Sequence, residues 1–106
     1  MEQAILTTKT QKINISEVLE YFCNVFNVTK EQIISKKRNA EITRARQYIV
    51  YFLRKFCSMN IVEIGLIVNQ NYTTINYSVN QIQDLMKIYP AERQHLELAK
   101  QHFNIQ

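Results

Sequence analysis

Positive charge is concentrated in one stretch of this 106-residue chain. The twenty residues from Lys36 to Lys55 hold seven basic side chains and one acidic side chain, a net charge of +6, while the whole chain carries only +4. Lys and Arg neutralise phosphate groups, so a one-sided cluster of them is expected of a polyanion-binding protein. A solvated helix face without a partner is the alternative. The candidate binding side chains are Lys36, Lys37, Arg38, Arg44, Arg46 and Arg54.

A second group of candidate binding residues lies downstream, in a segment that is polar but uncharged. Asn side chains can hydrogen-bond to base edges of nucleic acids, and a Thr methyl can pack against the methyl group of thymine. Such residues are expected in the first turns of the second helix of a helix-turn-helix, which enters the major groove of DNA. The side chains concerned are Asn71, Tyr72, Thr73, Thr74, Asn76 and Tyr77.

Residues 60–79 have the pattern of two helices joined by a turn. Asn60 and Glu63 have the spacing of a capping box, which predicts a helix start. An apolar face of Ile61, Ile64 and Val68 follows, and Leu66 and Ile67 widen it. Polar residues 69–71 interrupt it, and Asn71 or Thr73 can cap the second helix, which should continue to about Lys87. An ordinary αα-hairpin is the alternative to a helix-turn-helix.

The whole chain is predicted to be all-α, a five- to six-helix bundle in one domain. A single Gly and a single Pro are too few for the turns of an all-β protein. Helical spacing of apolar residues predicts further helices over 16–26, with Ser16 as N-cap, over 40–58 at the centre of the core, and over 91–103. A capping box, Thr29 with Gln32, predicts a short helical turn. Residues 1–12 are expected to be a flexible leader and 13–106 the folded domain.

Other function classes lack their characteristic residues. No nucleophile, base and orienting group form a set, so we expect neither an enzyme nor a small-molecule substrate. His95 and His102 lack a third ligand at helical spacing, so no zinc site or other cofactor is predicted. Cys23 and Cys57 are isolated, which is typical of reduced thiols in a cytoplasmic protein. No apolar run is long enough to span a membrane, and no signal sequence is expected.

Four short motifs occur in a characteristic order: Lys36-Lys37-Arg38, Arg44-Ala45-Arg46-Gln47, Glu63-Ile64-Gly65 and Tyr72-Thr73-Thr74-Ile75. With them, the chain from about residue 13 to 87 resembles the C-terminal DNA-binding domain of the bacterial chromosomal replication initiator DnaA. The motifs are similar to that family's basic loop, Arg-x-Arg-Gln signature, Glu-Ile-Gly triplet and His-Thr-Thr-Val, respectively. Each motif is weak alone, whereas the four in one order are much more specific.

The resemblance implies an all-helical domain that binds double-stranded DNA in a sequence-specific way, with a role in replication initiation or its regulation. Arg38 matches the family's minor-groove arginine, and Arg54 matches a phosphate-contacting position. Thr73 and Thr74 match the paired threonines, one of which meets a thymine methyl in the family.

The sequence departs from the family's pattern at the turn. The family has Gly-Gly-Arg-Asp-His before the threonines, whereas this chain has the shorter Asn69-Gln70-Asn71-Tyr72. The missing arginine and aspartate predict a relaxed or changed sequence preference, with Asn71 and Asn76 as candidate contacts to adenine. Tyr77 stands where the family has His.

Two further expectations concern activity. No phosphate-binding loop of the Gly-x-x-x-x-Gly-Lys-Thr type occurs, so ATP binding is not expected of this chain. A helical protein–protein adaptor of a mobile-element or phage-type system is the alternative function, which leaves a protein partner open. It would require an exposed apolar patch.

Overall fold

The structure is a computed structural model that describes residues 13–105, and all regular secondary structure in that range is helical. The helices are α1 (Ile15–Phe26), α2 (Lys30–Ile34), α3 (Ala40–Phe56), α4 (Ile61–Val68), α5 (Tyr72–Ile88) and α6 (Pro90–His102). The predicted all-α fold of five to six helices is confirmed. The predicted leader lies outside the described residues. None of the helices within 13–105 has the length and apolar character needed to cross a membrane.

Local hydrogen bonding sets most helix boundaries. Both predicted capping boxes, at the starts of α2 and α4, are present. The N-cap of α1 is Asn14 rather than Ser16, because Asn14 Oδ1 accepts hydrogen bonds from the backbone N–H groups of Ser16 (2.8 Å) and Glu17 (3.3 Å). The predicted end of α3 at Ser58 is two residues too late, because Ser58 adopts a left-handed conformation with φ 54°.

Helix α3 is the centre of the core, as predicted. Its residues 45–53 are all buried, and the rings of Tyr48 and Phe52 are fully enclosed. Phe22 of α1 packs against both rings, at centroid distances of 6.0 and 5.7 Å. Burying an aromatic side chain of this size contributes about 1.5–3 kcal/mol. This packing, with the contacts between α3 and α5, holds the outer helices in fixed positions around α3.

Helices α4 and α5 form a helix-turn-helix with a tight turn at residues 69–71. A Cβ atom placed on Gly65 would lie 2.5 Å from the backbone oxygen of Gln70, so only glycine allows the turn to come this close. The Gln70 N–H donates to the Gly65 carbonyl at 2.9 Å. Asn69 ends α4 in the left-handed conformation, with φ 59°, which Asn tolerates better than most residues.

The outer side of α4 differs from the prediction. Leu66, expected to widen the apolar core face, is 80% exposed, and Val62, one turn earlier, is 65% exposed. The helix packs inward mainly through Ile64, Gly65 and Val68, so these two side chains have no core to enter. An apolar run without alternation does not reveal which of its members face solvent.

A polar cluster fastens α6 to α3. The Tyr48 hydroxyl lies 2.7 Å from both the backbone oxygen and the carboxylate of Glu92, and Arg44 Nη1 lies 3.0 Å from that carboxylate. Burial, reinforced by the hydrogen bond to Glu92, raises the pKa of Tyr48 above its ordinary value. Burial alone would raise the pKa of Glu92, but hydrogen bonds from Tyr48 and Arg44 outweigh it and lower that pKa.

Candidate nucleic-acid interface

A concave groove of ≈ 540 Å³ lies between the loop of residues 35–39 (the basic loop) and the first turns of α5. The basic loop, α3 and the helix-turn-helix all contribute to its walls. The lining residues are Lys36, Arg38, Thr43, Arg46, Gln47, Gln70, Asn71, Thr73, Thr74, Tyr77 and Ser78. The structure therefore brings together residues that are 35 or more positions apart in the sequence, so that one ligand can contact the basic loop and α5 at the same time.

Arg46 holds the basic loop through hydrogen bonds from its guanidinium group. Its Nε donates to the backbone oxygen of Ile33 at 2.7 Å, Nη2 donates to those of Gln32 (3.0 Å) and Ser35 (3.1 Å), and Nη1 donates to that of Lys37 (3.3 Å). Only 4% of Arg46 is exposed. Arg46, predicted to be a binding side chain, is therefore buried, and its donors hold the end of α2 and the basic loop in place.

The charge of Arg46 still contributes to the groove. Its four hydrogen bonds go to neutral carbonyl oxygens, so no formal negative charge in these contacts cancels the guanidinium. Burial, and secondarily the nearby cation of Arg38, lowers the pKa of Arg46 from its ordinary value, although arginine remains protonated in proteins. Two neighbouring cations give this groove a positive potential.

A pair of hydrogen bonds joins the end of α2 and the basic loop to the turn of the helix-turn-helix. Lys36 Nζ donates to the backbone oxygen of Asn69 at 3.0 Å, and Asn69 Nδ2 donates to the backbone oxygen of Ile34 at 2.9 Å. Both bonds are exposed, and each contributes about 0.5–1.5 kcal/mol. Together with Arg46 they fix the loop that carries Arg38 relative to the start of α5.

The start of α5 is capped by Asn71. Its Oδ1 accepts a hydrogen bond from the Thr74 N–H at 3.0 Å, so Asn71, not Thr73, is the N-cap. That hydrogen bond holds the Asn71 side chain at the helix end, and the contact of Asn71 with adenine stays a prediction. The first turn of α5 contains no acidic residue, which leaves the partial positive charge of the helix N-terminus available to a phosphate.

The remaining predicted residues on α5 face outward. Tyr72 is 62% exposed and Tyr77 is 60% exposed, while Thr73 and Asn76 are also exposed and Thr74 is half-buried. Thr73, Thr74 and Tyr77 line the groove, whereas Tyr72 and Asn76 lie on the neighbouring face of the helix.

Two predicted arginines lie away from the groove. Arg44 pairs with Glu92 of α6. Arg54 is exposed and donates from Nη1 to the backbone oxygen of Met59 at 3.0 Å, just before α4 begins. Lys37 belongs to the basic loop and is exposed.

The groove also contains residues that the sequence interpretation did not select. Thr43 and Gln47 of α3 line its floor, beside Arg46. They are four positions apart and therefore share a helix face, so the spacing from Arg46-Gln47 back to Thr43 could have indicated them.

Comparison with known proteins also indicates a helix-turn-helix domain. The family described as "Bacterial dnaA protein helix-turn-helix" matches residues 15–82. Relatives called "Chromosomal replication initiator protein DnaA" include that of Borrelia duttonii (strain Ly), 32% identical over 77 residues, which are 72% of this chain and 16% of that protein. The relative from Brucella abortus biovar 1 (strain 9-941) is 29% identical over 97 residues, 91% of this chain and 20% of that protein. The chain thus spans a fifth or less of the length of these relatives.

Proposed function

This chain belongs to the bacterial DnaA helix-turn-helix family, and we propose that it binds double-stranded DNA in a sequence-specific way and has no ATPase activity of its own. One observation supports the proposal most: Arg38 of the basic loop and Thr73, Thr74 and Tyr77 of α5 line the same positively charged groove. A duplex that fills this groove contacts cationic and base-reading side chains together.

We propose that α5 enters the major groove and the basic loop follows the backbone toward the adjacent minor groove. The major groove, about 12 Å wide, admits a helix. A long arginine side chain suits the narrow minor groove, whose negative potential attracts it. The N-terminal turn of α5, with the partial positive charge of the helix end, suits a phosphate at the edge of the major groove.

The role that follows is recognition of a DNA site. The relatives are named for chromosomal replication initiation, and we propose that this chain acts in replication initiation or its regulation, by marking an element or competing for it. On this proposal it acts in the cytoplasm, where bacterial DNA lies.

Fluorescence anisotropy with labelled duplexes tests the proposal. If about 4–6 phosphates are neutralised, a log–log plot of affinity against salt concentration has a slope of about −4 to −5. Selection from a random duplex pool at physiological salt should enrich a motif. The control is Arg93→Gln, which removes one charge on α6, outside the groove, and should leave the slope unchanged. A slope near zero, or no binding at low salt, contradicts the proposal.

A second candidate function, docking of a protein partner, is favoured by the exposed side chains of Val62 and Leu66. Two neighbouring aliphatic side chains this exposed on one small helix are suited to a protein contact. The double variant Val62→Ser with Leu66→Ser separates the two functions, because it should abolish capture of a protein partner while duplex affinity stays unchanged.

A further inference from the structure

The helix-turn-helix of this chain contains no cationic side chain. Between Lys55 and Lys87 there is no Lys, Arg or His, and the acidic residues in that range are Glu63 and Asp84. Arg or Lys is the usual partner of guanine O6 and N7, and Glu or Asp is a usual acceptor for the cytosine amino group. Glu63 is engaged in the capping box of α4, where it accepts from the Asn60 N–H at 3.2 Å. Asp84 lies twelve residues beyond the start of α5. The first turns of α5 therefore have no charged group with which to select a G·C pair.

What α5 does present suits A·T pairs. Tyr72, Thr73, Asn76 and Tyr77 are exposed and cover an arc of about 140° on the helix, at about 100° per residue. Thr methyls and aromatic rings pack against the C5 methyl of thymine, and the amide of an asparagine matches N6 and N7 of adenine. Asn76 is suited to this contact because, unlike Asn71, it does not cap the helix.

The basic loop is also suited to A·T pairs. Arg46 is held by four backbone oxygens, so Arg38 is the guanidinium of the groove that can extend to a base edge. In the minor groove, a G·C pair differs from an A·T pair by the guanine amino group, and A·T tracts are narrower and more negative. An arginine placed there favours A·T.

We infer, on the basis of the proposed function, that this chain binds A·T-rich duplex elements, and that α5 selects them mainly by packing Thr73 and Tyr77 against thymine methyl groups. On this inference, α5 in the major groove and the basic loop in the minor groove both prefer A·T pairs.

Four duplexes of one length separate the contributions of the two grooves. They contain A·T, A·U, I·C or G·C pairs at the positions contacted, where uracil lacks the thymine methyl and inosine lacks the guanine amino group. We expect affinity to fall about fivefold or more from A·T to A·U and from A·T to I·C, with G·C the weakest. Equal affinity for A·T and A·U would overturn the role of the methyl contacts, and equal or tighter binding of G·C would overturn the inference while leaving duplex binding intact. No binding to any duplex at low salt would overturn the proposed function as well.

A conservative variant assigns the contact to a residue. Thr73→Ser removes one methyl and keeps the hydroxyl, so it should reduce the ratio of the affinity for A·T to the affinity for A·U. Gln94→Ala on the exposed side of α6 is the matched control and should keep the ratio of the unaltered protein. Circular dichroism of both variants checks that the helices are retained, and an unchanged ratio in a folded Thr73→Ser protein would contradict the assignment.

Discussion

The candidate interface has two halves, the segment of residues 36–55 with its basic loop and the helix-turn-helix that follows. They differ in charge and in the contacts that hold them in place. Residues 36–55 carry seven cations, whereas residues 56–86 carry none. The basic loop lies between two helices and is held by long-range side-chain bonds, from Arg46 to the backbone of Ser35 and Lys37 and from Lys36 to the backbone of Asn69. In contrast, α5 is a regular helix packed on the core through Ile75 and Ile82. On the proposed function, this comparison predicts a division of labour, in which the first half supplies most of the affinity for any duplex and the second half supplies most of the sequence preference.

The largest effect is expected from Arg46→Met. The substitution leaves four backbone oxygens of residues 32–37 without their donors, and it should lower the free energy of unfolding by about 3 kcal/mol. The thermal midpoint should fall by on the order of 10–20 °C, measured by circular dichroism. Arg46→Lys should recover only part of this, because an ammonium group cannot reach all four oxygens. A midpoint within 2–3 °C of the unaltered protein (about 0.5 kcal/mol) would show that the basic loop is held by other contacts.

Gly65→Ala tests the second half of the comparison, the helix-turn-helix. The new methyl would lie 2.5 Å from the Gln70 oxygen, so the turn must shift, and we expect a loss of about 1–3 kcal/mol in unfolding free energy. Leu66→Ala on the exposed side of α4 is the control and should be close to neutral. Urea denaturation measures both. Increased stability in Gly65→Ala, as helix propensity alone would give, would contradict the tight turn.

Arg38→Ala should weaken DNA binding without unfolding the protein. The side chain is exposed, and we expect a loss of about 1–2 kcal/mol in binding free energy on every duplex, with the salt slope reduced by about 1. Anisotropy titrations at several salt concentrations measure both quantities. A loss confined to A·T duplexes would show that Arg38 contributes to sequence preference alone and not also to general affinity.

Asn76→Ala should change the DNA sequence preference and not the affinity for every duplex. Because Asn76 is exposed on α5 and uncharged, its loss should cost about 1 kcal/mol at a single base position and leave the salt slope unchanged. Thr74→Ala should likewise change preference, and pool selection with each variant reveals the altered position. If the enriched motif is the same for both variants and the unaltered protein, α5 does not read the bases.

The smallest effect concerns Glu92, which lies outside both halves. Its pKa is lowered in the folded state, so its stabilising contribution is fully present above the ordinary carboxyl pKa of about 4.5 and is lost as pH falls through the folded-state value. Thermal unfolding measured from neutral to acidic pH should therefore show a smaller acid-side decrease in Glu92→Gln than in the unaltered protein. DNA affinity at neutral pH should not change. An identical acid-side decrease in both proteins would mean that the Tyr48–Glu92–Arg44 cluster contributes little to stability.

Local patterns predicted much of this molecule. The two capping boxes, the apolar periodicity of α3 and the polar break at residues 69–71 each depend on neighbours within four positions. Such interactions form in the same way whatever the rest of the chain does. The order of the helices and the presence of a helix-turn-helix followed from them.

The sequence by itself determined where the two helices with capping boxes start, which helix lies at the centre of the core and where positive charge is concentrated, because these are properties of neighbouring residues. Only the tertiary structure decided that Arg46 is buried and Leu66 exposed. The burial of Arg46 depends on four carbonyl oxygens 9 to 14 residues away, and the exposure of Leu66 depends on which side of α4 meets the core. A charge is tolerated inside a fold, and an apolar side chain outside it, according to the partners that packing brings within a few ångströms.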